Sequence, residues 1–553
     1  MLNHFEIKLR HLLRRSVILI NIIHLIKMLN KSYRSLETLQ RKKLDKFSLL
    51  INDLMKSPLG NGKKGLAVVF GWQQFDLILS ETVIRKGLEL QGYNIKVLSQ
   101  PTPFTQDAYS LMGVEDVESF YSYCPPPCLA QAENMMNGVV SFKDFIRLSY
   151  KDISVGKYAS STIMRQTRRG TLDFNNPAHK EIAEISLSRS LSAAKGAYRL
   201  IDESTPTLLV VVDRGYTPYG EMFDACINKN IPVITWNVAH RDNTVMLKRY
   251  HYGNRDSHPA SLSKESWKTM LDLEWTNERR SELYQELSSS YESGEWYGEV
   301  GTQFGKKGFE IGEIKNKLEL NPNKKIAVIF SHIFWDATFF WGEDLFRDYE
   351  DWFVQTVKAA CKNKNLNWLI KVHPANTVKD HRDGLISEPS ELIALREKIG
   401  ELPDHVKVIN ADTPISTWSL FKAMDYCLTV RGTVGIEAAM LGKTVLTAGT
   451  GRYDNHGFTH DFTSSSDYLD CLQHLEDLEE PSSEIKEKAE RYAYGVFIRR
   501  PLRLKTLTLG FSRDKKASML VNCNALTLGQ LRNADDLNTI ANWISSNTDD
   551  YLN

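Results

Sequence analysis

The chain has 553 residues, too many for one hydrophobic core, and its 42% hydrophobic and 25% charged residues predict a soluble globular protein of two domains with extensions. The net charge of +1 provides no overall attraction to nucleic acid, so we expect no nucleic-acid partner. Seven cysteines, an odd number spread along the chain, favour a reducing compartment over a disulfide framework, and we expect a cytoplasmic protein.

Residues 1–57 are predicted to form a basic amphipathic helical extension. Positions 1–48 contain eleven Lys or Arg against three acidic residues, and within them lies the apolar run SVILINIIHLIKM. The run is shorter than the roughly 20 residues that span a bilayer, and no signal-peptide cleavage site follows it. A peripheral helix on the inner face of the cytoplasmic membrane fits this pattern. A helix docked on the protein or on a partner also fits it, particularly for LETLQRKKLDKFSLLINDLM.

Residues 58–290 have the pattern of a Rossmann-like domain. GLAVVF (65–70), a helix pattern and IKVLSQP make a β-α-β unit, which TLLVVVDRG (207–215), a second helix pattern and IPVITW (231–236) repeat. Residues from about 100 to 205 lie between the two units and are helical in pattern and rich in aromatic side chains. We interpret them as a helical insertion.

A second series of strands begins near residue 324, after a polar stretch at 291–323 that we interpret as a linker. Five short apolar runs separated by helix patterns occupy residues 324–490: KKIAVIFS, NWLIKV, HVKVIN, YCLTV and TVLTAG. Such runs are typical of a parallel sheet with helices on both faces. We therefore predict an α/β fold with two doubly wound domains in tandem, followed by a C-terminal helical segment at 491–553.

Polar side chains follow the strands of the second series. Ligands of doubly wound sheets bind beyond the carboxyl ends of the strands, so these positions are the candidates for a site. Four of the five strand ends carry His332, Asp336, His373, Arg431, Thr433, Arg452 and His456. We expect these side chains to meet at one edge and to bind a phosphate-bearing donor.

The stretch VRGTVGIEAAMLGKTV (430–445) places a glycine-containing turn between a strand and a helix. Backbone N–H groups and the helix dipole at such a turn favour an anion, although the turn is also compatible with a simple helix cap. Lys371 and His373 flank another strand end, which we expect to be adjacent in the sheet. We predict donor binding by Lys371, His373, Arg431, Gly432, Thr433, Gly435 and Glu437.

Within this set, we assign the donor phosphate to the turn and to His373, whose imidazole donates a hydrogen bond. Glu437 is assigned to the ribose, as acidic residues are in dinucleotide folds. Loop stabilisation by His373 and helix packing by Glu437 remain the alternatives.

Two common phosphate-binding motifs do not occur in the sequence. The chain has no G-x-x-x-x-G-K-[ST] loop, and its first strand ends in FGWQQ rather than in G-x-G-x-x-G, so ATPase and nicotinamide functions lose their main support. The sequence also has no Asp-x-Asp, the commonest metal-binding motif of metal-dependent sugar transferases. We expect neither a metal nor a cofactor, with the charge of the leaving nucleotide neutralised by His373, basic side chains and the helix end.

The sequence resembles bacterial capsule polysaccharide biosynthesis proteins, a family that includes Kdo transferases of capsule linkers. IKVHPAN, RGTVGIEAAMLGKTVLTAGTGRY and SHIFWDATFFWGEDLFRDYEDW carry the resemblance in the C-terminal half. YKDISVGKYASSTIMR and VVDRGYTPYGEMFDACINKNIPVI are similar to the amino-terminal half of related transferases. Over roughly residues 65–500, the resemblance implies a GT-B fold whose C-terminal domain binds a nucleotide sugar and whose N-terminal domain binds the acceptor.

The resemblance also implies roles for individual residues. In similar His-Pro enzymes that use CMP-sugars, the His contacts the donor phosphate and a hydroxyl-bearing turn completes the cradle, which assigns these roles to His373 and Thr433. The turn has Arg-Gly-Thr where a Ser-containing pair is common, and this leaves the identity of the nucleotide open.

An inverting reaction needs a general base, for which Asp336 is the first candidate and Asp213 and Glu221 across the cleft are the reserves.

We therefore expect a metal-independent glycosyltransferase that uses a nucleotide sugar, such as CMP-Kdo, as a substrate. Its acceptor would be a growing surface or capsular polysaccharide or a lipid-linked form of it. Within the enzyme class, the alternatives are transfer of a polyol phosphate from a CDP donor and epimerisation of a sugar nucleotide. A non-catalytic component of polysaccharide assembly is the alternative from another class.

Overall fold

A computed structural model describes residues 12–51, 53–297, 302–303, 305–336, 338–375, 388–511 and 519–553. The first eleven residues of the predicted extension lie outside these ranges, as do parts of the predicted linker and the last residue of the IKVHPAN motif.

The N-terminal domain is built on a seven-stranded sheet. Its strands are β1 (Gly65–Phe70), β2 (Tyr93–Leu98), β3 (Val117–Glu118), β4 (Leu208–Val211), β5 (Val233–Val238), β6 (Thr244–Tyr250) and β13 (Leu502–Arg503). The order is β13-β6-β5-β4-β1-β2-β3, in which β1 to β5 run parallel and β6 runs antiparallel to both of its neighbours, β5 and β13. The direction of the strand order reverses between β1 and β4.

The C-terminal domain is built on a six-stranded parallel sheet. Its strands are β7 (Ile326–Phe330), β8 (Asn367–Lys371), β9 (Val406–Ile409), β10 (Tyr426–Thr429), β11 (Thr444–Thr447) and β12 (His460–Asp461). The order is β12-β11-β10-β7-β8-β9, so the direction of the strand order reverses between β7 and β10. Strands such as β7 are buried along their whole length, which explains their uninterrupted apolar sequences. A separate hairpin pairs β14 (Leu507–Phe511) with β15 (Met519–Cys523).

Helices connect the strands and cover both faces of the sheets. Those that precede the second sheet are α1 (Val17–Met28), α2 (Lys31–Ile51), α3 (Phe75–Leu90), α4 (Pro103–Leu111), α5 (Leu129–Met136), α6 (Phe142–Ile146), α7 (Val155–Thr167), α8 (Pro177–Ser204), α9 (Tyr219–Asn228), α10 (Lys264–Asp272), α11 (Asn277–Glu292) and α12 (Ile311–Lys317). Those that follow are α13 (Tyr349–Lys362), α14 (Ser390–Ala394), α15 (Thr417–Ala423), α16 (Thr433–Met440), α17 (Ser465–Gln473), α18 (Ser483–Tyr494), α19 (Leu528–Arg532) and α20 (Asp535–Ser545). The predicted fold class, two doubly wound α/β domains facing a cleft, is confirmed.

The loop after β7 joins the two domains. Its apolar side chains Ile333, Trp335, Phe339 and Phe340 belong to a core that otherwise consists mainly of N-terminal residues. Phe340 stacks on Tyr158 of α7 with ring centroids 4.9 Å apart. The cleft between the domains is therefore closed on one side by aromatic packing.

Two segments differ from their predicted structure. Residues 491–553, predicted to be helical, also contain β13, β14 and β15, because short strands that pair with distant parts of the chain carry a weak local pattern. The stretch 291–323, predicted to be a linker, contributes buried side chains to the C-terminal core, among them Tyr291, Trp296 and Ile314. Because most residues of this stretch are polar, the sequence pattern did not indicate that these few apolar side chains are buried.

The N-terminal extension consists of two helices with different environments. Leu44, Phe47 and Ile51 of α2 are buried in the core of the N-terminal domain, as the docked-helix interpretation predicts. Helix α1 and its C-cap residue Leu29 instead leave a row of large apolar side chains exposed: Ile18, Ile22, Leu25, Ile26 and Leu29. Within the described part of the chain, no helix combines the length and the apolar character needed to cross a membrane.

Candidate functional site

A cavity of about 490 Å³ lies between the two domains, at the point where the C-terminal strand order reverses. Its walls contain residues that follow β7, β8 and β10, together with residues of the loop after β6 in the N-terminal domain. The volume is typical of a pocket for one small-molecule ligand, and reversal points of doubly wound sheets are where such ligands bind. We call this space the donor cavity.

His332, directly after β7, organises the turn after β10. The backbone N–H of Val430 donates to His332 Nε2 at 3.1 Å, so the neutral ring carries its proton on Nδ1. Thr429 Oγ1 lies 3.0 Å from the same nitrogen and accepts a hydrogen bond from the N–H of Gly432, also at 3.0 Å. Burial, reinforced by His373 and Arg431, lowers the pKa of His332 well below its usual value. His332 therefore acts as a neutral hydrogen-bond acceptor beside the cavity.

The turn after β10 presents the start of helix α16 to the donor cavity. Gly432 is the N-cap residue with extended backbone angles, and Gly432, Thr433 and Val434 line the cavity. The first N–H groups of a helix have no partner within the helix, and the helix dipole adds positive potential there. This part of the cavity is suited to an anion such as a phosphate.

Glu437 lies one turn further along α16 and is fully buried at the cavity wall. Its Oε2 accepts a hydrogen bond from the hydroxyl of Tyr291, whereas Oε1 has no hydrogen-bond partner in the part of the chain that is described. Burial raises the pKa of Glu437 to about 7, although hydrogen bonding by Tyr291 and by Thr433, one turn earlier in α16, acts in the opposite direction. A buried oxygen without a partner at the wall of a cavity is suited to accept a hydrogen bond from a ligand hydroxyl.

His373 and Lys371 are placed at the end of β8, on the other side of the cavity. The N–H of Ala375 donates to His373 Nδ1 at 3.2 Å, so in the neutral ring Nε2 is the donor nitrogen. The backbone N–H of His373 donates to the buried carboxylate of Glu391 at 3.3 Å, and Glu391 also accepts from Ser331 Oγ at 2.9 Å. Glu391 thereby ties the segment after β8 to the segment after β7.

Lys371 also borders the donor cavity, but its ammonium group donates to the carbonyls of Val372 and Asn410 at 2.9 and 3.4 Å. Burial, together with the nearby Lys306, lowers the pKa of Lys371 to about 7.

The expectation that β8 and β10 are adjacent is wrong, because β7 pairs with both and lies between them. The two halves of the predicted phosphate site therefore lie on either side of His332.

Arg431 and Gly435 do not border the donor cavity as the structure describes it. The Arg431 side chain forms a buried ion pair with Asp344 and donates to the carbonyls of Thr338 and Glu343. A side chain at Gly435 would collide with the Tyr453 hydroxyl, 2.1 Å from the ideal Cβ position. We correct both predictions: Arg431 holds the loop after β7, and Gly435 permits close packing of Tyr453.

The two predicted acids Asp336 and Asp213 meet across the cleft and both line the donor cavity. Asp336 Oδ1 accepts a hydrogen bond from the Tyr216 hydroxyl at 2.8 Å. Asp213 Oδ1 accepts from the N–H of Gly215 at 3.1 Å, and its Oδ2 lies 4.0 Å from Arg165 Nη1. The guanidinium of Arg165 also lies over the Tyr216 ring, 4.8 Å from its centroid. The four side chains form one polar cluster between the domains.

Glu221 does not reach the cleft, and its assignment as a reserve base is corrected. It is fully buried in the N-terminal domain, where its Oε1 accepts hydrogen bonds from Ser190 and Thr217 at 2.5 and 2.8 Å. The helix α9 turns this side chain towards α8 rather than towards the cavity. The position of Glu221 after β4 in the sequence did not show on which face of α9 its side chain lies.

A second space of about 480 Å³ adjoins the polar cluster on the side of the N-terminal domain. It lies at the reversal point between β1 and β4 and shares Asp213 with the donor cavity. Its walls combine aromatic and cationic side chains: Phe70, Trp72, Tyr216, Tyr219, Arg165 and Arg168. We call this space the N-terminal groove.

Several residues of the donor cavity were not predicted from the sequence. Asn237 belongs to β5, and His258 lies in the loop after β6, a strand that the sequence reasoning missed. Tyr291, Trp296 and Tyr297 come from the predicted linker. The aromatic cluster at 291–297 was the available signal in that polar stretch. Arg452, a predicted strand-end residue, also lines the cavity, whereas His456 packs on Trp267 and Tyr492.

The described residues include no group of three or more His, Cys, Asp or Glu side chains arranged to hold a metal ion.

Residues 283–477 match the model of a family described as capsule polysaccharide biosynthesis protein. The range contains His332, Asp336, His373, Thr433 and Glu437. The predicted resemblance to this family is confirmed over these residues. A sequence search against curated proteins finds no match.

Solved structures that match this chain share little sequence identity with it. The β-Kdo 2,4 transferase KpsC of Thermosulfurimonas dismutans is 14% identical, with 57% of this chain and 85% of that chain covered and a TM-score of 0.33. UDP-GlcNAc 2-epimerase from Neisseria meningitidis, bound to UDP-GlcNAc, is 12% identical, with 78% and 97% covered and a TM-score of 0.26. Because these TM-scores are low, the fold assignment depends on the strand orders given above.

Proposed function

We propose that the protein is a glycosyltransferase that moves a sugar from a nucleotide donor to a saccharide acceptor during synthesis of a surface polysaccharide. One observation carries the proposal: the start of α16, the buried Glu437 carboxyl and His373 border the same cavity at a strand-order reversal. These groups have the chemistry that a nucleotide phosphate and its ribose require. The family match of residues 283–477 supports a role in capsule synthesis.

In this proposal the donor phosphate lies between the start of α16 and His373. The N–H groups and the hydroxyl of Thr433 contact it from one side, and His373 Nε2 donates from the other. The same groups stabilise the charge that develops on the departing nucleotide, so the reaction proceeds without a metal ion or a cofactor. CMP-Kdo is the donor that fits the sequence resemblance.

Glu437 Oε1 accepts a hydrogen bond from the ribose of this nucleotide. The partnerless buried oxygen supports this role, since occupying the cavity would supply the hydrogen bond that the carboxyl lacks.

The acceptor occupies the N-terminal groove in this proposal. The groove meets the donor cavity at Asp213, so an acceptor hydroxyl bound there lies near the acids of the polar cluster. Asp336 is the general base, and Tyr216 orients its carboxylate through the 2.8 Å hydrogen bond. Two adjoining spaces suit a transferase with two substrates better than an epimerase, which needs one. Polyol-phosphate transfer fits the same two spaces and is the second candidate.

The transfer takes place on the inner face of the cytoplasmic membrane, with α1 as the contact. The exposed apolar side chains of α1 and the basic residues Arg14 and Arg15 beside it support this placement. The growing polysaccharide or its lipid-linked form then reaches the groove from the membrane surface.

The proposal is tested by nucleotide binding followed by a transfer assay. CMP, CDP, UDP and GDP are compared by thermal shift, since a ligand at a hundred times its Kd adds about 2.7 kcal/mol of stability. The preferred nucleotide is then compared with its 2′-deoxy and 3′-deoxy forms by calorimetry on the wild type and on Glu437→Gln. We expect the wild type to bind one of the two deoxy forms more weakly than the intact nucleotide. In Glu437→Gln this difference in affinity should disappear.

A transfer assay with the matching sugar nucleotide separates an enzyme from a binding component. We expect sugar transfer by the wild type, and nucleotide binding with transfer slowed by about 10²–10⁴-fold in Asp336→Asn. If the wild type binds the nucleotide but catalyses no sugar transfer, no epimerisation and no phosphotransfer, the result would favour the non-catalytic alternative. Absence of any nucleotide binding would overturn the proposal.

A further inference from the structure

We infer that Asp550 positions the loop 258–263, which forms one wall of the donor cavity, and thereby controls donor affinity without touching the donor. The effect on affinity depends on the proposed function, whereas the positioning of the loop does not. Asp550 is therefore a positioning residue, about three hundred residues away in sequence from the loop that it holds.

The front of the loop faces the donor cavity. His258, Pro259 and Ala260 line that space. The backbone N–H of His258 donates to the carbonyl of Gly451 at 2.8 Å, which joins the loop to the C-terminal domain. The N–H of Ala260 donates to His258 Nδ1 at 3.0 Å and fixes the imidazole. The position of these side chains therefore follows the position of the loop backbone.

The back of the loop is held by two cations and one carboxylate. Arg500 donates to the carbonyls of Pro259 and Ser261 at 2.8 and 2.5 Å. Lys248 Nζ donates to the carbonyl of Ser261 at 3.2 Å. The N–H of Ser263 donates to Asp550 Oδ2 at 2.6 Å. Side chains thus satisfy loop groups that a sheet ladder would otherwise satisfy.

Asp550 keeps the two cations in place. Its Oδ1 accepts from Lys248 Nζ at 2.8 Å and lies 3.5 Å from Arg500 Nη2. Burial by itself would raise the pKa of Asp550, but Arg500 and Lys248 outweigh burial and hold it at about 2. All three side chains are almost fully buried. Without the carboxylate, two buried cations would face each other with only carbonyl oxygens between them.

The backbone around Asp550 is anchored independently of the loop. Asp550 forms an antiparallel bridge with Lys248 of β6, and the N–H of Tyr551 donates to the carbonyl of Leu247 at 3.3 Å. The N–H of Arg249 donates to the carbonyl of Asp549 at 2.6 Å. The backbone at Asp550 is therefore fixed to the sheet, and the Asp550 side chain fixes the loop 258–263 relative to the sheet.

Asp550→Asn tests the inference, with Asp549→Asn as the matched control. Asp549 is the adjacent acid, and its carboxylate accepts from Asn254 at 2.9 Å and lies 3.4 Å from His251, neither of which belongs to the loop 258–263. Hydrogen exchange is measured on the peptide that covers this loop. We expect exchange about tenfold faster in Asp550→Asn, from the weakening of one charge-assisted hydrogen bond, and wild-type exchange in the control.

Donor affinity is measured on the same proteins by calorimetry with the nucleotide that stabilises the wild type most. We expect Asp550→Asn to raise the Kd and the donor KM about tenfold while kcat stays within about twofold, because the bond that it weakens positions the site and does not take part in the reaction. The control should retain the wild-type Kd.

A charge-balanced variant covers the case in which Asp550→Asn does not fold. Lys248→Met combined with Asp550→Asn keeps the net charge of the buried group, and we expect it to fold and to show the same faster loop exchange. Wild-type loop exchange in the folded variant, or an unchanged Kd together with faster exchange, would overturn the inference. If the wild type binds none of the nucleotides, the proposed function fails, and the exchange measurement still decides whether Asp550 positions the loop.

Discussion

The hydroxyl of Tyr216, in the N-terminal domain, donates to Asp336 Oδ1 of the C-terminal domain at 2.8 Å. This bond crosses the cleft where the donor cavity and the N-terminal groove meet. An acid carried by one domain is thereby oriented by the other, so the arrangement exists only when the two domains are together.

Asp336→Asn is expected to reduce turnover by about 10²–10⁴-fold with little change in nucleotide affinity, as is typical for loss of a general base. Tyr216→Phe removes the hydroxyl that forms the orienting bond, and we expect a loss of about tenfold. Initial rates and calorimetry on both variants measure these effects. Asp213→Asn is the comparison: if it abolishes turnover while Asp336→Asn stays within a few-fold of wild type, the base is Asp213.

His373→Ala is expected to weaken donor binding and to lower kcat. A charge-assisted hydrogen bond is worth about 1.5–3 kcal/mol, and part of this energy increases as charge develops on the departing phosphate. Steady-state kinetics separates the two effects, with the exposed His474 of the same domain, changed to Ala, as the control. If His373 only stabilises its loop, the variant will lose thermal stability but bind nucleotide normally per folded molecule.

The buried Glu437 predicts a pH dependence of stability. Its pKa in the folded protein is raised to about 7, above the usual value of 4.5, so its contribution to stability is complete below pH 4.5 and disappears as the pH rises through 7. Each pKa unit is worth about 1.4 kcal/mol, so the loss is on the order of 3 kcal/mol. Glu437→Gln cannot titrate, and relative to wild type its unfolding free energy should increase between pH 4.5 and 8.

Urea denaturation at several pH values measures this difference, and Tyr291→Phe provides a second variant. The Tyr291 hydroxyl donates to Glu437 and opposes the rise in its pKa, so removing it should move the pH window upwards. A constant difference between wild type and Glu437→Gln across the window would contradict the prediction.

The exposed apolar row of α1 should bind anionic membranes. Ile18, Leu25 and Leu29 are 72%, 67% and 82% exposed, and changing all three to Ser should weaken binding to vesicles of phosphatidylcholine and phosphatidylglycerol at least about tenfold. Activity on a soluble acceptor should not change. Removal of the whole extension is unsuitable as a test, because Leu44 and Phe47 belong to the core.

The matched control changes equally exposed apolar residues elsewhere: Val140, Tyr252 and Leu526, at 75%, 70% and 76% exposure, are replaced by Ser. Vesicle sedimentation compares the two triple variants. Equal binding by both would show that α1 has no special role at the membrane.

The strand positions and the residues that follow the strands could be read from the sequence. The runs that form β1, β4, β7, β8, β10 and β11 are mainly apolar because these strands are buried along all or most of their length, and this property is local. The same local pattern placed His332, Asp336, His373 and Thr433 after strands. The doubly wound fold class followed from these alternations.

Only the tertiary structure decided which of those residues face the cavity. Arg431 and Thr433 are two positions apart, yet Arg431 pairs with Asp344 in the interior while Thr433 borders the donor cavity, because side-chain direction depends on the turn geometry. Glu221 was also predicted to face the cleft, but its side chain lies on the face of α9 that packs against α8. His258 and Asp550 contribute through contacts between distant parts of the chain, and such contacts carry no local sequence period by which they could be recognised.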